Sequence, residues 1–208
     1  MVQKTEISSN NATKFNELYE AFKKANERIE AVNKITGTLD SIIEIPSLNE
    51  LRYVGFHLIK ALSHPDSTEE DEELRRAIRH CERASYDILE LGINYQLLLV
   101  ENFKKEFRKT PITSVVKEWL TICNRINQIN LELVEFNRYD EGGEDYHKIA
   151  ENNLSELHGI TSKFPYYREE LKKERTRDLL KYFFMYSGWF IALISIVVTL
   201  MALLSQNK

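Results

Sequence analysis

This chain is poor in the residues that punctuate or staple a fold. Two cysteines in 208 residues, Cys81 and Cys123, are too few for a disulfide framework or a thiolate metal site. They read as small buried hydrophobes in a reducing compartment. Four prolines and seven glycines leave long stretches unbroken, which argues against a turn-rich β-fold and for helices. Neither sign of charge dominates: 28 Lys and Arg against 32 Asp and Glu give a net charge of −4. A dedicated nucleic-acid binder is usually basic, so DNA is not an expected partner. There is no glycine-rich phosphate loop and no serine nucleophile elbow. His147 and His158 are not spaced to share a metal, and no carboxylate–histidine cluster accompanies them, so neither metal nor cofactor is expected. The opening residues MVQKTEISSNN contain no apolar segment of the kind a secretory signal needs.

The chain does have one long apolar run. From Tyr182 to Leu204 it reads YFFMYSGWFIALISIVVTLMALL, without a charge or a proline. As a helix this run is about 34 Å long, slightly more than a hydrocarbon core of roughly 30 Å. It is apolar all round, and Tyr182, Tyr186 and Trp189 stand near one end, where amphipathic rings favour the headgroup region. The expectation is a single-pass protein of the cell membrane. Lys172, Lys173, Arg175, Arg177 and Lys181 precede the run and only Lys208 follows it, which puts the N-terminal part in the cytoplasm. Within the run, Gly188, Ala192, Ser195, Thr199 and Ala202 recur at spacings of four and three, along one stripe. Small and hydroxyl residues so placed let helices approach and hydrogen-bond, although the same residues are frequent in spans generally. Self-association through this stripe, into a homo-oligomer or a narrow pore, is one reading. A plain lipid anchor is the other.

The remaining pattern is helical. Phe15, Leu18, Phe22, Ala25, Ile29, Val32, Leu39 and Ile43 follow helical spacing and predict a first helix over 11–43. Ile45-Pro46 should break it, and Ser47-Leu-Asn-Glu50 reads as a capping box opening a short second helix. A second capping box, Ser67-Thr-Glu-Glu70, opens a helix of roughly 40 residues, or about 60 Å, that ends before Thr110-Pro111. Further helices are expected over 112–137 and 146–159, with a flexible stretch at 139–145 between them. Phe164-Pro165 closes the next connector, and a charged helix from Tyr166 leads into the span. The fold class is therefore all-α: a long-helix bundle over 1–165, a juxtamembrane stalk over 166–181 and a transmembrane helix over 182–204.

Two Arg-x4-His patterns fall on consecutive helices, Arg52 to His57 and Arg75 to His80. Arginine offers a phosphate a rigid fork of donors, and histidine moves protons near neutral pH. Together they suit RNA binding or metal-independent RNA cleavage. Residues five apart lie about 140° around a helix, so a compact site needs a helix end or a second protomer. Arg75, Arg76, Arg79 and Arg83 also read as a solvated face paired with the acidic residues before them. Trp119 reads as core.

The stretch 74–87, LRRAIRHCERASYD, preceded by Leu51-Arg-Tyr-Val-Gly-Phe-His57, resembles the HEPN superfamily of helical bundles. A HEPN-like bundle joined to one membrane helix is further similar to the small membrane accessory proteins of type VI-B CRISPR systems. The resemblance implies Arg75 and His80 first, as catalytic residues, and Arg52 and His57 second; Arg52, His57 and Arg79 are the candidate contacts to RNA phosphate. The resemblance also implies a membrane effector of antiviral defence that oligomerises into a pore and enhances an RNA-guided nuclease. HEPN nucleases commonly place Asn, Asp or His directly after the arginine, whereas this chain has Tyr53 and Arg76. A non-catalytic effector is thus the leading expectation, with a tail-anchored ribonuclease and a membrane adaptor as alternatives.

Overall fold

The structure is a computed structural model that describes residues 9–37, 45–65, 67–135 and 143–206. Six α-helices and one short 3-10 turn account for almost all of these residues, and no strand occurs among them. The all-α expectation holds. The helices are α1 (Ser9–Thr36), α2 (Ile45–Ser63), α3 (Thr68–Glu106), α4 (Trp119–Glu135), α5 (Gly143–Thr161) and α6 (Phe164–Gln206), with the 3-10 turn at Ile112–Ser114.

Helix ends follow local chemistry, and several differ from the sequence expectation. Helix α1 stops at Thr36 because Gly37 adopts φ 60°, the left-handed conformation that terminates helices and that glycine enters without steric cost. Leu39 and Ile43 lie outside the described residues. The Ser47–Glu50 capping box does not form: α2 begins two residues earlier, at Ile45, and Pro46 occupies its first turn, where a missing N–H costs nothing. Ser47 is buried inside the helix, and its hydroxyl has no partner among the described residues.

The Ser67 side of the second box does form. The backbone N–H of Glu70 donates to Ser67 Oγ at 3.1 Å, and Glu69, Glu70 and Asp71 place negative charge in the first turn of α3. Pro111 opens only the 3-10 turn, so α4 starts at Trp119 rather than Ile112. Its expected end at residue 137 and most of the glycine-rich stretch after it lie outside the described residues. Phe164-Pro165 does not close a connector but opens α6, again with proline in the first turn. Helix α6 then runs 43 residues without a break.

The chain forms two compact units. The first comprises the chain up to Phe103 together with Thr121–Ser162; the second comprises Lys104–Leu120 and the chain from Lys163 onward. In the first unit, Leu18 and Ala25 of α1, Val54 and Ala61 of α2, and Leu74, Ala77, Cys81 and Ala84 of α3 form one buried cluster. Alternating small and large residues there let the three helices approach closely. Farther along α3, a Cβ on Gly92 would meet Val32 Cγ1 at 2.9 Å and the methyl carbons of Leu154 at 3.2 and 3.3 Å. Glycine is what admits α1 and α5 at that point. Between α4 and α5, Arg125 is the hub. Its Nε donates to Glu156, and its other nitrogens donate to Glu132 at 2.9 Å and Asn153 at 3.1 Å.

In the second unit, Trp119 is buried and its ring lies 6.5 Å from that of Phe164. From Tyr182 to Met201 every described apolar side chain larger than alanine is exposed or nearly so. This part of α6 is long and apolar enough to cross a membrane, and none of it is buried against the rest of the chain.

Candidate functional site

The site stands on two facing stripes in the first unit. On α2, Glu50, Tyr53, His57 and Lys60 follow one another at spacings of three and four. On α3, Glu69, Glu73, Arg76, His80 and Arg83 do the same. Such spacing keeps side chains on one helical face. The apolar cluster of Val54, Ala61, Leu74, Ala77 and Cys81 holds the two helices together beside the stripes.

Across this seam the two histidines meet. The rings of His57 and His80 are stacked, with centroids 5.0 Å apart and planes 16° from parallel. Tyr53 stacks on the far side of His80 at 5.3 Å, so three aromatic rings form a column. Each imidazole is held by a carboxylate from the opposite helix. His57 Nδ1 lies 2.5 Å from Glu73 Oε2, and His80 Nδ1 lies 2.6 Å from Glu50 Oε2. The histidine side chains are mostly covered, at 13% and 19% exposure, and Glu73 is covered almost completely, at 2%.

Glu73 is the electrostatic anchor. Its other oxygen accepts from Lys60 Nζ at 2.9 Å and from Arg76 at 2.9 Å. The hydrogen bond from His57, and after it that from Lys60, holds its carboxyl at about 2, well below the ordinary 4.5. Glu73 is therefore an anion at neutral pH and can only accept, which makes His57 Nδ1 the donor. Among the described residues neither Nε2 has a hydrogen-bond partner.

His57, Arg76, Arg79, His80 and Arg83 line a cavity of about 270 Å³. Arg76 is committed to Glu72 and Glu73. Arg79 and Arg83 make no salt bridge among the described residues. A cleft in which two guanidinium groups make no salt bridge among the described residues, beside two imidazoles, is built to attract an anion, and the fork geometry of arginine suits phosphate oxygens.

The structure brings together only some of the residues singled out from sequence. His57, His80 and Arg79 line the cleft. Arg75 is not among the lining residues: it is 62% exposed and donates to Asp71 at 2.7 Å, one turn back on its own helix. Arg52 is exposed, with its guanidinium carbon 5.4 Å from the centre of the Tyr53 ring. The five-residue spacing sends both arginines off the faces that carry their histidines. Arg76, Arg83, Glu50 and Glu73 complete the site instead, and their signal in the sequence was a spacing of three, four or seven residues from His57 or His80.

Cys81 is buried, and burial pushes its thiol up to about 12, which disfavours the reactive thiolate at neutral pH. Among the described residues no group of three or more His, Cys, Asp or Glu side chains is arranged to hold a metal ion.

The small-residue stripe of α6 is exposed where its side chains are described. A Cβ on Gly188 would meet nothing within 4 Å. The hydroxyls of Ser195 and Thr199 donate to the carbonyls of Ile191 and Ser195 on their own helix, at 3.0 and 2.8 Å. Both are thus satisfied without a partner helix. Ala202 belongs to the same helix, but its side chain lies outside the described residues.

No known protein family, characterised protein or solved structure matches this chain.

Proposed function

We propose that this protein is a membrane-tethered effector that recognises RNA in the cleft between α2 and α3 and acts through the apolar end of α6. The observation that carries this reading is the convergence of His57 and His80 on one cavity lined by Arg76, Arg79 and Arg83. Local positive charge in an otherwise acidic chain marks a ligand surface more sharply than overall charge does. Single-stranded RNA supplies both phosphates for the arginines and bases that stack on exposed aromatic rings such as Tyr53.

The second half of the reading rests on the uncovered apolar length of α6. Residues 182–204 span the cell membrane, and the basic residues from Lys172 to Lys181 keep the first unit on the cytoplasmic side. Association along Gly188, Ala192, Ser195, Thr199 and Ala202 gathers the spans into an oligomer, and RNA or an RNA-guided nuclease partner triggers the membrane response. The resemblance of residues 51–57 and 74–87 to HEPN bundles, and of the architecture to type VI-B accessory proteins, is what supports a role in antiviral defence.

The test uses the full chain in detergent and a labelled single-stranded RNA. Anisotropy should rise on binding, and replacing Arg79 and Arg83 with Gln should weaken affinity about tenfold or more. RNA binding that is indifferent to both arginines would sink the assignment of the cleft.

A ribonuclease reading has one specific observation in its favour. Two imidazoles are each oriented by a carboxylate, which leaves a pair of Nε2 atoms for general acid and base work. If cleavage occurs it should proceed in EDTA, and His80→Ala and His57→Ala should each reduce it about a hundredfold. An adaptor is separated from an effector by replacing residues 182–204 with an unrelated span: an adaptor keeps its function, whereas an effector that assembles through α6 loses it.

A further inference from the structure

The second unit contains another cavity, of about 300 Å³, lined by Lys105, Glu106, Arg108, Lys109, Thr110 and Arg175. Four of its six lining residues are cations, and the single carboxylate is already engaged. Glu106 accepts from Arg168 at 2.8 Å and lies 3.9 Å from Lys172. Arg108, Lys109 and Arg175 make no salt bridge among the described residues. Three of the four acids of the same stretch of α6 are also taken, since Glu170, Glu174 and Asp178 pair with Lys173, Arg177 and Lys181 on their own helix. The carbonyl end of α3 opposes anion binding, but its partial charge is small beside three unpaired full cations.

The position of this cavity narrows what it takes. Arg168, Lys172 and Arg175 lie on one stripe of α6 that continues through Leu179 to Tyr182, the first residue of the apolar run. Arg175 stands seven residues before Tyr182, about 10 Å along the axis. The headgroup layer extends roughly 5 to 8 Å beyond the hydrocarbon on each side, and arginine and lysine reach that far on their flexible stems. The lining offers guanidinium forks, ammonium groups and the Thr110 hydroxyl, a donor set suited to phosphate oxygens.

We propose that this basic cavity binds the phosphate of an anionic lipid headgroup and so fixes the depth and rotation of α6 in the membrane. The proposal rests on the reading that residues 182–204 cross a bilayer. Phosphate could also come from a free ion, and the cavity next to the span commits the source to lipid.

The test reconstitutes the full chain into vesicles of phosphatidylcholine alone, or of phosphatidylcholine and phosphatidylglycerol in equal amounts. The protein is then extracted in mild detergent, and the lipids that remain bound are measured by mass spectrometry. Phosphatidylglycerol should be enriched about tenfold over the bulk ratio. The triple variant Arg108→Gln, Lys109→Gln, Arg175→Gln should fall to the bulk ratio, whereas Arg108→Lys with Arg175→Lys should keep most of the enrichment. Replacing the exposed Lys23, Lys34 and Lys148 with Gln should change nothing. Enrichment that persists in excess inorganic phosphate supports the lipid source; its loss there, or equal retention by the triple variant and the parent, overturns the proposal. Failure of the parent chain to float with neutral vesicles would instead remove the spanning reading, and this inference with it.

Discussion

His57 of α2 and His80 of α3 stack ring on ring at 5.0 Å, and each is gripped at Nδ1 by a carboxylate of the opposite helix. The pair of crossed grips makes the seam between the helices a polar lock as well as an apolar contact. It also fixes which nitrogen of His57 carries the proton, because ionised Glu73 can only accept. The lock and the ligand cleft share the same residues, so binding and local stability should be coupled.

Glu73 sets the acid sensitivity of that lock. Its folded carboxyl titrates at about 2, below the ordinary 4.5. Its contribution to stability is therefore complete above about pH 4.5 and is lost as the pH falls toward about 2. Glu73→Gln should cost about 1 to 3 kcal/mol near neutral pH, because it leaves His57, Lys60 and Arg76 without their shared anion. Chemical denaturation of the two proteins at a series of pH values checks this. The gap between them should narrow steadily below about pH 4.5, and a constant gap would show that Glu73 does not carry the effect.

Two glycines separate packing from propensity. At Gly92 a side chain would meet the stiff Cγ1 of Val32 at 2.9 Å, so Gly92→Val should destabilise the first unit by about 2 to 3 kcal/mol. Gly55 sits in the middle of α2 with nothing within 4 Å of an added Cβ. Gly55→Ala should stabilise by about 0.5 to 1 kcal/mol. Urea titrations monitored by far-UV circular dichroism report both.

Much of this architecture could be read from the residues, and the limits have physical reasons. Apolar spacing of three and four located most helices, and the uninterrupted run from Tyr182 located the exposed end of α6. Capping boxes were a mixed guide. Ser67 caps α3, while Ser47 does not cap α2, because Pro46 lets the helix begin earlier and Glu50 is drawn to His80 instead. The Arg-x4-His spacing identified the right histidines but pointed to Arg52 and Arg75, which leave the cleft by simple helix geometry. Reading the same segments at three-and-four spacing would have selected Arg76, Arg83, Glu50 and Glu73. The pairing of Glu50 with His80 and of Glu73 with His57 depends on how α2 and α3 face each other, which periodicity alone does not specify.

Assembly through α6 is tested at Gly188, where the helix surface is open. Gly188→Leu should weaken self-association in detergent about tenfold or more, by blocking close helix approach. Replacing the neighbouring apolar Ile191 with Leu should leave it unchanged. Sedimentation equilibrium across a range of protein concentrations distinguishes the two variants, and equal behaviour would argue for a simple anchor.

The most direct measurement of the central claim is the salt dependence of RNA binding by the full chain. Plotted as log affinity against log salt, the parent should give a steep negative slope, of about −0.7 for each phosphate neutralised on a single strand. Replacing Arg79 and Arg83 with Gln should make that slope shallower by about 1.4 and lower affinity evenly across RNA sequences. An unchanged slope, or no detectable RNA binding by the parent at low salt, would contradict the assignment of this cleft as an RNA site.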